Sequence, residues 1–384
     1  MKVQFPSNRP SGRPSDDLRR AEERHGVAVE RALVLDQEEE IEKYDKLGMI
    51  STVCRFDEQL TDALQIIRTT DVPRYRDIDH ILICGLGGSA IGGELLGSYL
   101  GHDLGKPLFL NRNYQVPGFV NNKTLAIVCS YSGNTEETLT AFEEAVAAGA
   151  QIVCITSGGV LAGLAVDRGC PLISVPVGYA PRAAFGFGFV AMLRILARAD
   201  LISDRLSEVE ESIAWVRRRI GIYGVESPMQ ENPAKRLATR LYGRIPVIYG
   251  SEGRLGPIAR RWAGQISENA KQLAFYNQLP EMNHNEIVGW EHPATWLPGL
   301  VPVFLRDHQD HPRVQARTEI TRDLLERKVE GVVECWSDGS TWLERMWTLI
   351  LFGDFASIYL ALLNREDPTP VDIIEDFKAR LNQS

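Results

Sequence analysis

The sequence predicts an α/β protein of two domains, each a parallel sheet flanked by helices on both faces, and three observations predict it. Apolar, β-branched runs alternate with helix-patterned segments from 81 to 199 and again from 245 to 363. Strands that alternate with helices form parallel sheets covered on both sides. Each half opens with an apolar strand running into a glycine-containing turn: Ile83-Cys84-Gly85-Leu86-Gly87-Gly88-Ser89 in the first, Ile248-Tyr249-Gly250-Ser251-Glu252-Gly253-Arg254 in the second. The length, 384 residues, exceeds the usual size of one domain, and each half can bury a core of its own.

Residues 1–43 mix Pro, Arg and Ser with a charged run from Asp36 to Glu42. The first part reads as disordered and the second as helical, an extension outside the core. Over 44–71 the spacing of Leu47, Ile50, Val53, Leu60, Ala63, Leu64 and Ile67 predicts helix, ended by Pro73. The first domain, 44–225 with this helical lead-in, continues with strands at 81–84, 107–110, 124–129, 152–155 and 172–175 and helices at 90–100, 136–148, 161–167 and 183–199. Helices at 207–220 and 228–242 bridge to the second domain, 226–384. It has strands at 245–249, 300–305 and 332–336 and helices at 255–273, 318–327 and 341–363.

Composition restricts the partners. A net charge of −9 and a pI near 5.4 argue against nucleic acid or an anionic membrane, so any phosphate site must be local. The six cysteines are dispersed and make no C-x-x-C pair, which reads as small buried hydrophobes in a reducing compartment. No apolar leader opens the chain, and the most apolar stretch, 346–363, carries Asp354 near its middle. A central Asp costs roughly 3 kcal/mol in a bilayer, so a buried helix and a cytoplasmic protein are expected.

Sites in parallel α/β folds lie at the carboxyl ends of strands, where two motifs fall. Ser130-Tyr131-Ser132-Gly133-Asn134-Thr135 links a buried strand to a helix. Free backbone N–H groups and a partial positive charge at a helix start favour an anion, phosphate above all, and Ser130, Ser132 and Thr135 add hydroxyls around Gly133. The same residues also suit plain capping by Asn134 or Thr135, with Glu136 and Glu137 in the first turn. Gly85-Leu86-Gly87-Gly88-Ser89-Ala90 satisfies the dinucleotide pattern G-x-G-x-x-A. The acid expected about 20 residues on is missing; the strand end there reads Leu110-Asn111-Arg112-Asn113. Only Arg112 offers anything for a 2′-phosphate. The Gly88-Ser89 pair fits a smaller phosphorylated ligand better.

Together with Pro181-Arg182-Ala183-Ala184, Ser267-Glu268-Asn269-Ala270-Lys271 and Asn283-His284-Asn285-Glu286-Ile287-Val288-Gly289-Trp290, these segments resemble the bifunctional phosphoglucose/phosphomannose isomerases built from two sugar-isomerase (SIS) domains. The likeness runs from about Tyr44 to the C-terminus. It implies that Gly88, Ser89, Ser130, Ser132 and Thr135 hold a sugar phosphate and that Glu268 is the base moving a proton between C2 and C1. It further implies that Arg182 stabilises the enediolate oxygens, that His284, supplied by the other subunit of a homodimer, assists ring opening, and that Lys378 is the family's late active-site lysine. Residues 1–43 have no counterpart in the family pattern.

The chemistry is self-consistent: isomerisation needs a carboxylate shuttle, cationic groups where charge develops and an acid/base for the ring, with no metal or redox cofactor. The nearest metal candidate, His308-x-x-His311 with Asp307 and Asp310, reads as a solvated loop. Taken without the resemblance, Glu268 is a solvated partner of Lys271, His284 a surface histidine and Arg182 a loop cap. At 3.6 residues per turn, Leu255, Ile258, Ala259, Trp262, Ile266 and Leu273 share one face and Glu268 lies nearly opposite. One picture compatible with this periodicity packs the stripe on the second sheet and lines the cleft between domains with the Glu268 face. A phosphosugar sensor without turnover is the alternative function.

Overall fold

A computed structural model describes residues 3–4, 33–381 and 383. The described residues fold into two compact units, one of residues 55–217 with 341–344 and the other of those up to 54, 218–340 and those from 345 on. Residues 44–54, read from the sequence as part of the first domain's lead-in, thus pack with the other unit. The continuous helix expected over 44–71 is three helices, Glu38–Tyr44, Met49–Cys54 and Phe56–Thr69. Asp45 makes the first break: its carboxylate accepts hydrogen bonds from Met49 N (2.7 Å) and Ile50 N (2.8 Å), satisfying donors a helix start leaves free.

Ten strands are described in two sheets: β1 (Val3–Gln4), β2 (His80–Cys84), β3 (Leu108–Asn111), β4 (Thr124–Cys129), β5 (Gln151–Thr156), β6 (Leu172–Ser174), β7 (Ile245–Ser251), β8 (Phe275–Leu279), β9 (Leu300–Arg306) and β10 (Val333–Trp336). The unit holding 55–217 has the order β3-β2-β4-β5-β6, all parallel. Ile81, Leu82, Leu125, Ala126, Ile127 and Val128 are all at most 1% exposed, because helices cover both faces of the sheet, and this is why the runs read as continuously apolar. The strand order reverses at β2, so the turns after β2 and β4 flank the switch point where open α/β sheets bind ligands.

The other unit repeats the plan in the order β8-β7-β9-β10-β1, with β7 at its reversal. Its fifth position is filled by β1, which pairs antiparallel with β10 through Val3↔Cys335 and Gln4↔Glu334. The sheet is therefore not wholly parallel, and part of the N-terminal segment read as outside the core completes it. Residues 5–32, where disorder is expected, lie outside the described residues. From Leu33 the segment packs: Leu35 is fully buried, and Asp36 accepts from Met229 N (3.0 Å) and from the buried Lys235 Nζ (2.8 Å). Lys235 also donates to Val225 O and Ser227 O, both at 2.9 Å, which satisfies an ammonium that burial would otherwise penalise.

The apolar helix Trp342–Asn364 has its whole apolar window buried inside the protein. Asp354 on it meets Arg261 Nε (3.0 Å) and Nη2 (2.7 Å) and Gln265 Nε2 (3.0 Å).

Candidate active site

In the unit built on the first sheet, α1 (Gly87–Leu100) follows β2 and α2 (Glu136–Ala147) follows β4. The first helix starts three residues earlier than the periodicity predicts, so Gly88 and Ser89 lie in its first turn. Neither helix is capped by a side chain: Leu86 precedes α1, and Thr135, at the N-cap of α2, accepts no bond from that helix. The Thr135 hydroxyl instead meets that of Ser130 at 3.0 Å. Asn134, the other capping candidate, turns its Oδ1 to Val160 N (3.0 Å) at the start of the neighbouring helix Gly159–Asp167. Plain capping is thus not how this loop is used, and two sets of backbone donors stay open to an anion.

The two turns are tied together, for Tyr131 N donates to Ser89 Oγ at 3.2 Å. Ser132 Oγ accepts from Asn134 N at 3.3 Å. Gly133 has φ +71°, and a Cβ there would lie 1.8 Å from Gly158 O. Gly133→Ala is therefore expected to cost more than about 2 kcal/mol, an αL penalty of about 1–2 kcal/mol plus displacement of the 158–159 turn, checked by urea unfolding. Gly88 is needed for another reason: a Cβ would sit 2.4 Å from Pro181 O. The Pro181–Ala183 turn therefore packs directly on Gly88 and brings the chain at Arg182 to the hydroxyl turns, its side chain 3% exposed.

Two positioning residues escaped the sequence reading. Gln59, 1% exposed, donates to Ala183 O (2.8 Å) and accepts from Gly186 N (3.0 Å), clamping the Arg182 turn. Tyr131 donates to Pro176 O (2.8 Å) and accepts from Tyr179 N (2.9 Å). Neither carries a sequence signal, because the partners are backbone groups far along the chain. A cavity lined by Gly88, Ser89, Cys129, Tyr131, Phe185 and Phe187 opens beside these turns. Burial holds the Cys129 thiol well above its ordinary pKa, so it stays protonated and unreactive. Arg112 is paired with Glu94 at 2.5 Å, which occupies the one cation the dinucleotide reading relied on.

Glu268, His284 and Lys378 belong to the other unit. Glu268 is half-buried in the last turn of α3 (Gly256–Ala270). The stripe Leu255, Ile258, Ala259, Trp262 and Ile266 is buried as periodicity predicts, but Leu273 is 65% exposed and beyond the helix. Lys271 ends the helix at φ +53°, and its Nζ donates to Glu268 O (2.9 Å) and Asp367 O (2.6 Å). The end of α3 is fixed to α4 (Trp342–Asn364): beyond the Arg261–Asp354 pair, Trp262 Nε1 donates to Leu349 O (2.8 Å) and Asn269 Nδ2 to Ser357 Oγ (2.8 Å). His284 is exposed at the end of a short turn, and Lys378 is exposed on α5 (Asp372–Leu381), a helix with no buried residue.

The 307–311 stretch is solvated at His308, Gln309 and His311, which are exposed as expected, but Asp307 is buried and Asp310 half-buried. The stretch follows β9 as Ser130–Thr135 follows β4, and the protein's own carboxylates fill it. Asp307, 1% exposed, is bonded to Arg345 Nε (2.8 Å), Ser337 Oγ (2.7 Å) and Gln309 N (2.7 Å), and Asp310 to Ser251 Oγ (2.9 Å). His311 Nδ1 accepts from Arg313 N at the start of the next helix, and His308 stacks on Trp336. Among the described residues no group of three or more His, Cys, Asp and Glu is placed to hold a metal ion.

Burial pushes the Asp310 carboxyl up to about 6, so folding favours its protonated form. Between pH 4 and 6 the unfolded chain releases this proton first, and stability falls as pH rises through that window, by up to about 3 kcal/mol. Asp310→Asn keeps an acceptor for Ser251 without the charge. The variant is expected to match the wild type near pH 4 and to exceed its melting temperature above pH 6, as thermal unfolding across pH will measure.

Comparison with known proteins bears on this geometry. The model of the SIS domain matches residues 74–165, and that of the bacterial phospho-glucose isomerase C-terminal SIS domain matches residues 230–381. A bifunctional phosphoglucose/phosphomannose isomerase of Caldicellulosiruptor bescii is 42% identical over 334 residues, 87% of this chain and 98% of that protein. The chain belongs to the bifunctional phosphoglucose/phosphomannose isomerase family. A D-glucosamine-6-phosphate 4-epimerase of Sulfolobus acidocaldarius is 38% identical to this isomerase-family chain over 218 residues, 56% of this chain and 66% of that protein. A hypothetical protein from Thermus thermophilus superposes with a TM-score of 0.69 at 15% identity, covering 95% of this chain and 96% of its own, a likeness of fold. The two SIS domains of this isomerase-family chain account for the repeated strand order.

Proposed function

We propose that this chain interconverts fructose 6-phosphate with glucose 6-phosphate and mannose 6-phosphate through an enediolate. The observation that carries the reading is the pair of uncapped helix starts, α1 and α2, at the switch point of the first sheet, with the hydroxyls of Ser89, Ser130 and Thr135 beside them. Backbone N–H groups at two helix starts favour a dianionic phosphoryl group without a cationic side chain, and Ser132 adds a further hydroxyl.

In this reading the Glu268 carboxylate takes the C2 proton of the open-chain aldose. The C2–H electrons form the C1–C2 double bond while the carbonyl electrons move to O1, and Arg182 stabilises the negative charge on the O1/O2 side. Returning the proton to C1, while the O2 hydroxyl proton passes to O1 and its O–H electrons form the C2 carbonyl, gives the ketose; returning it to either face of C2, with the O1 electrons re-forming the C1 carbonyl, gives glucose or mannose 6-phosphate. His284 protonates and deprotonates the ring oxygen and anomeric hydroxyl during opening, and Lys378 balances charge near the reacting oxygens. No metal or redox cofactor enters these steps.

The active form in this reading is a homodimer in which His284 of each protomer completes the site of its partner. His284 is exposed, and Val288 and Trp296 nearby in sequence are 72% and 73% exposed, as is expected of a surface awaiting a second copy. The net charge of −9 disfavours nucleic acid and anionic membranes, and six free cysteines fit a reducing cytoplasm. A coupled assay on purified protein tests the reading: glucose 6-phosphate formed from fructose 6-phosphate is expected. Sugar-phosphate binding by calorimetry with no turnover would establish a non-catalytic sensor in its place.

A further inference from the structure

The segment around His284 is held from both sides while the imidazole itself is exposed. Before it, Met282 is fully buried and Asn283 Nδ2 donates to Thr321 Oγ1 at 2.8 Å. After it, the Glu286 carboxylate accepts from the Tyr249 hydroxyl on β7 and, at 2.5 Å, from Asn277 Nδ2 on β8. Tyr249 and Asn277 are register partners in the sheet, so two adjacent strands present one O–H and one N–H to the two oxygens of a single carboxylate. The same phenol accepts from Trp290 Nε1 at 3.1 Å, which ties positions 286 and 290 to one anchor. Tyr249 is fully buried and stacked on Phe304, ring centroids 5.2 Å apart, so the anchor does not move with the loop. Between these fixed points Asn285 closes the turn, its Oδ1 accepting from Glu286 N (2.6 Å) and its Nδ2 donating to Glu281 Oε1 (2.7 Å).

An exposed glutamate on a short turn is ordinarily satisfied by water; this one is half-buried and takes both donors from the sheet. We infer that Glu286 is a positioning residue: the clamp of Tyr249 and Asn277 on its carboxylate sets the 283–286 turn so that His284 presents its imidazole in one orientation. The inference rests on the proposed role of His284 in the isomerase reaction, and it adds a residue that does not itself touch the sugar.

Two readouts test it. In NMR the His284 ring signal, assigned by its disappearance in His284→Gln, is expected to be single and sharp in the wild type and in Glu286→Gln. It should shift or broaden in Glu286→Ala as the turn samples several conformations. In kinetics Glu286→Ala is expected to lower kcat about 10- to 100-fold with KM nearly unchanged, as misplacement of a catalytic group does. Glu286→Ala added to His284→Gln should then cost nothing more, since the clamp has no imidazole left to position. Should Glu286→Ala fail to fold, Tyr249→Phe removes one hydroxyl only and is expected to disturb the same signal. An unaltered His284 signal in Glu286→Ala, or losses that add in the double variant, would overturn the inference. Absence of turnover in the wild type would instead defeat the isomerase reading, and the NMR comparison would still decide this one.

Discussion

Glu268→Gln is expected to lower kcat for fructose 6-phosphate isomerisation by about 10²- to 10⁴-fold, the contribution of a positioned general base, while sugar-phosphate binding survives. The substitution keeps the size of the side chain and its seat on α3, whose last turns are fixed by Asn269 to Ser357 and by Lys271 to the backbone of Glu268 and Asp367. What it removes is the capacity to hold a proton between C2 and C1. The residues proposed for the phosphate lie on the other unit, so affinity should change little. A coupled assay reads the first effect and calorimetry with glucose 6-phosphate the second; turnover near the wild-type rate would remove Glu268 as the base.

The largest loss of stability is expected from Arg261→Ala, about 3–5 kcal/mol, because it leaves a buried carboxylate without its countercharge. Arg261 and Asp354 side chains are 2% and 4% exposed, and two guanidinium nitrogens meet the carboxylate. After the substitution only Gln265 Nε2 still donates to it from α3. Urea unfolding measures the difference, and a loss below about 1 kcal/mol would mean that the carboxylate finds water or a proton instead. Replacing the pair together by Met and Leu of similar volume should recover most of the loss, since a well-packed apolar pair is often as stable as a buried ion pair. Because α3 carries Glu268, Arg261→Ala should also lower activity before global unfolding, as a fall in kcat at temperatures where the circular dichroism is still native.

Legibility followed the range of the interactions. The runs at 81–84, 124–129 and 152–155 declared themselves as central strands because burial on both faces leaves Thr124 as the one polar side chain in them apart from cysteines. β8, Phe-Tyr-Asn-Gln-Leu, stayed hidden because an edge strand with Phe275 53% exposed has neither the alternation nor the apolar run of a strand. The helix expected to continue to Leu273 stops at Ala270, where Lys271 takes a left-handed conformation and its ammonium donates to the Glu268 and Asp367 carbonyls, with those of Asn269 and Pro368 at 3.3 Å. The helix expected from 318 begins at Pro312, since proline at the first helical position costs no hydrogen bond.

By itself the sequence determined the α/β class, the two repeats and the placing of hydroxyl-rich and glycine turns at the carboxyl ends of strands, because these follow from local patterns of polarity and backbone freedom. Tertiary structure alone decided that Thr135 faces Ser130 rather than its own helix, that Asp307 and Asp310 fill the matching turn of the second sheet, and that Val3–Gln4 supplies that sheet's fifth strand. Each of these depends on which group arrives from elsewhere in the chain to satisfy a donor or acceptor, and periodicity carries no record of that arrival.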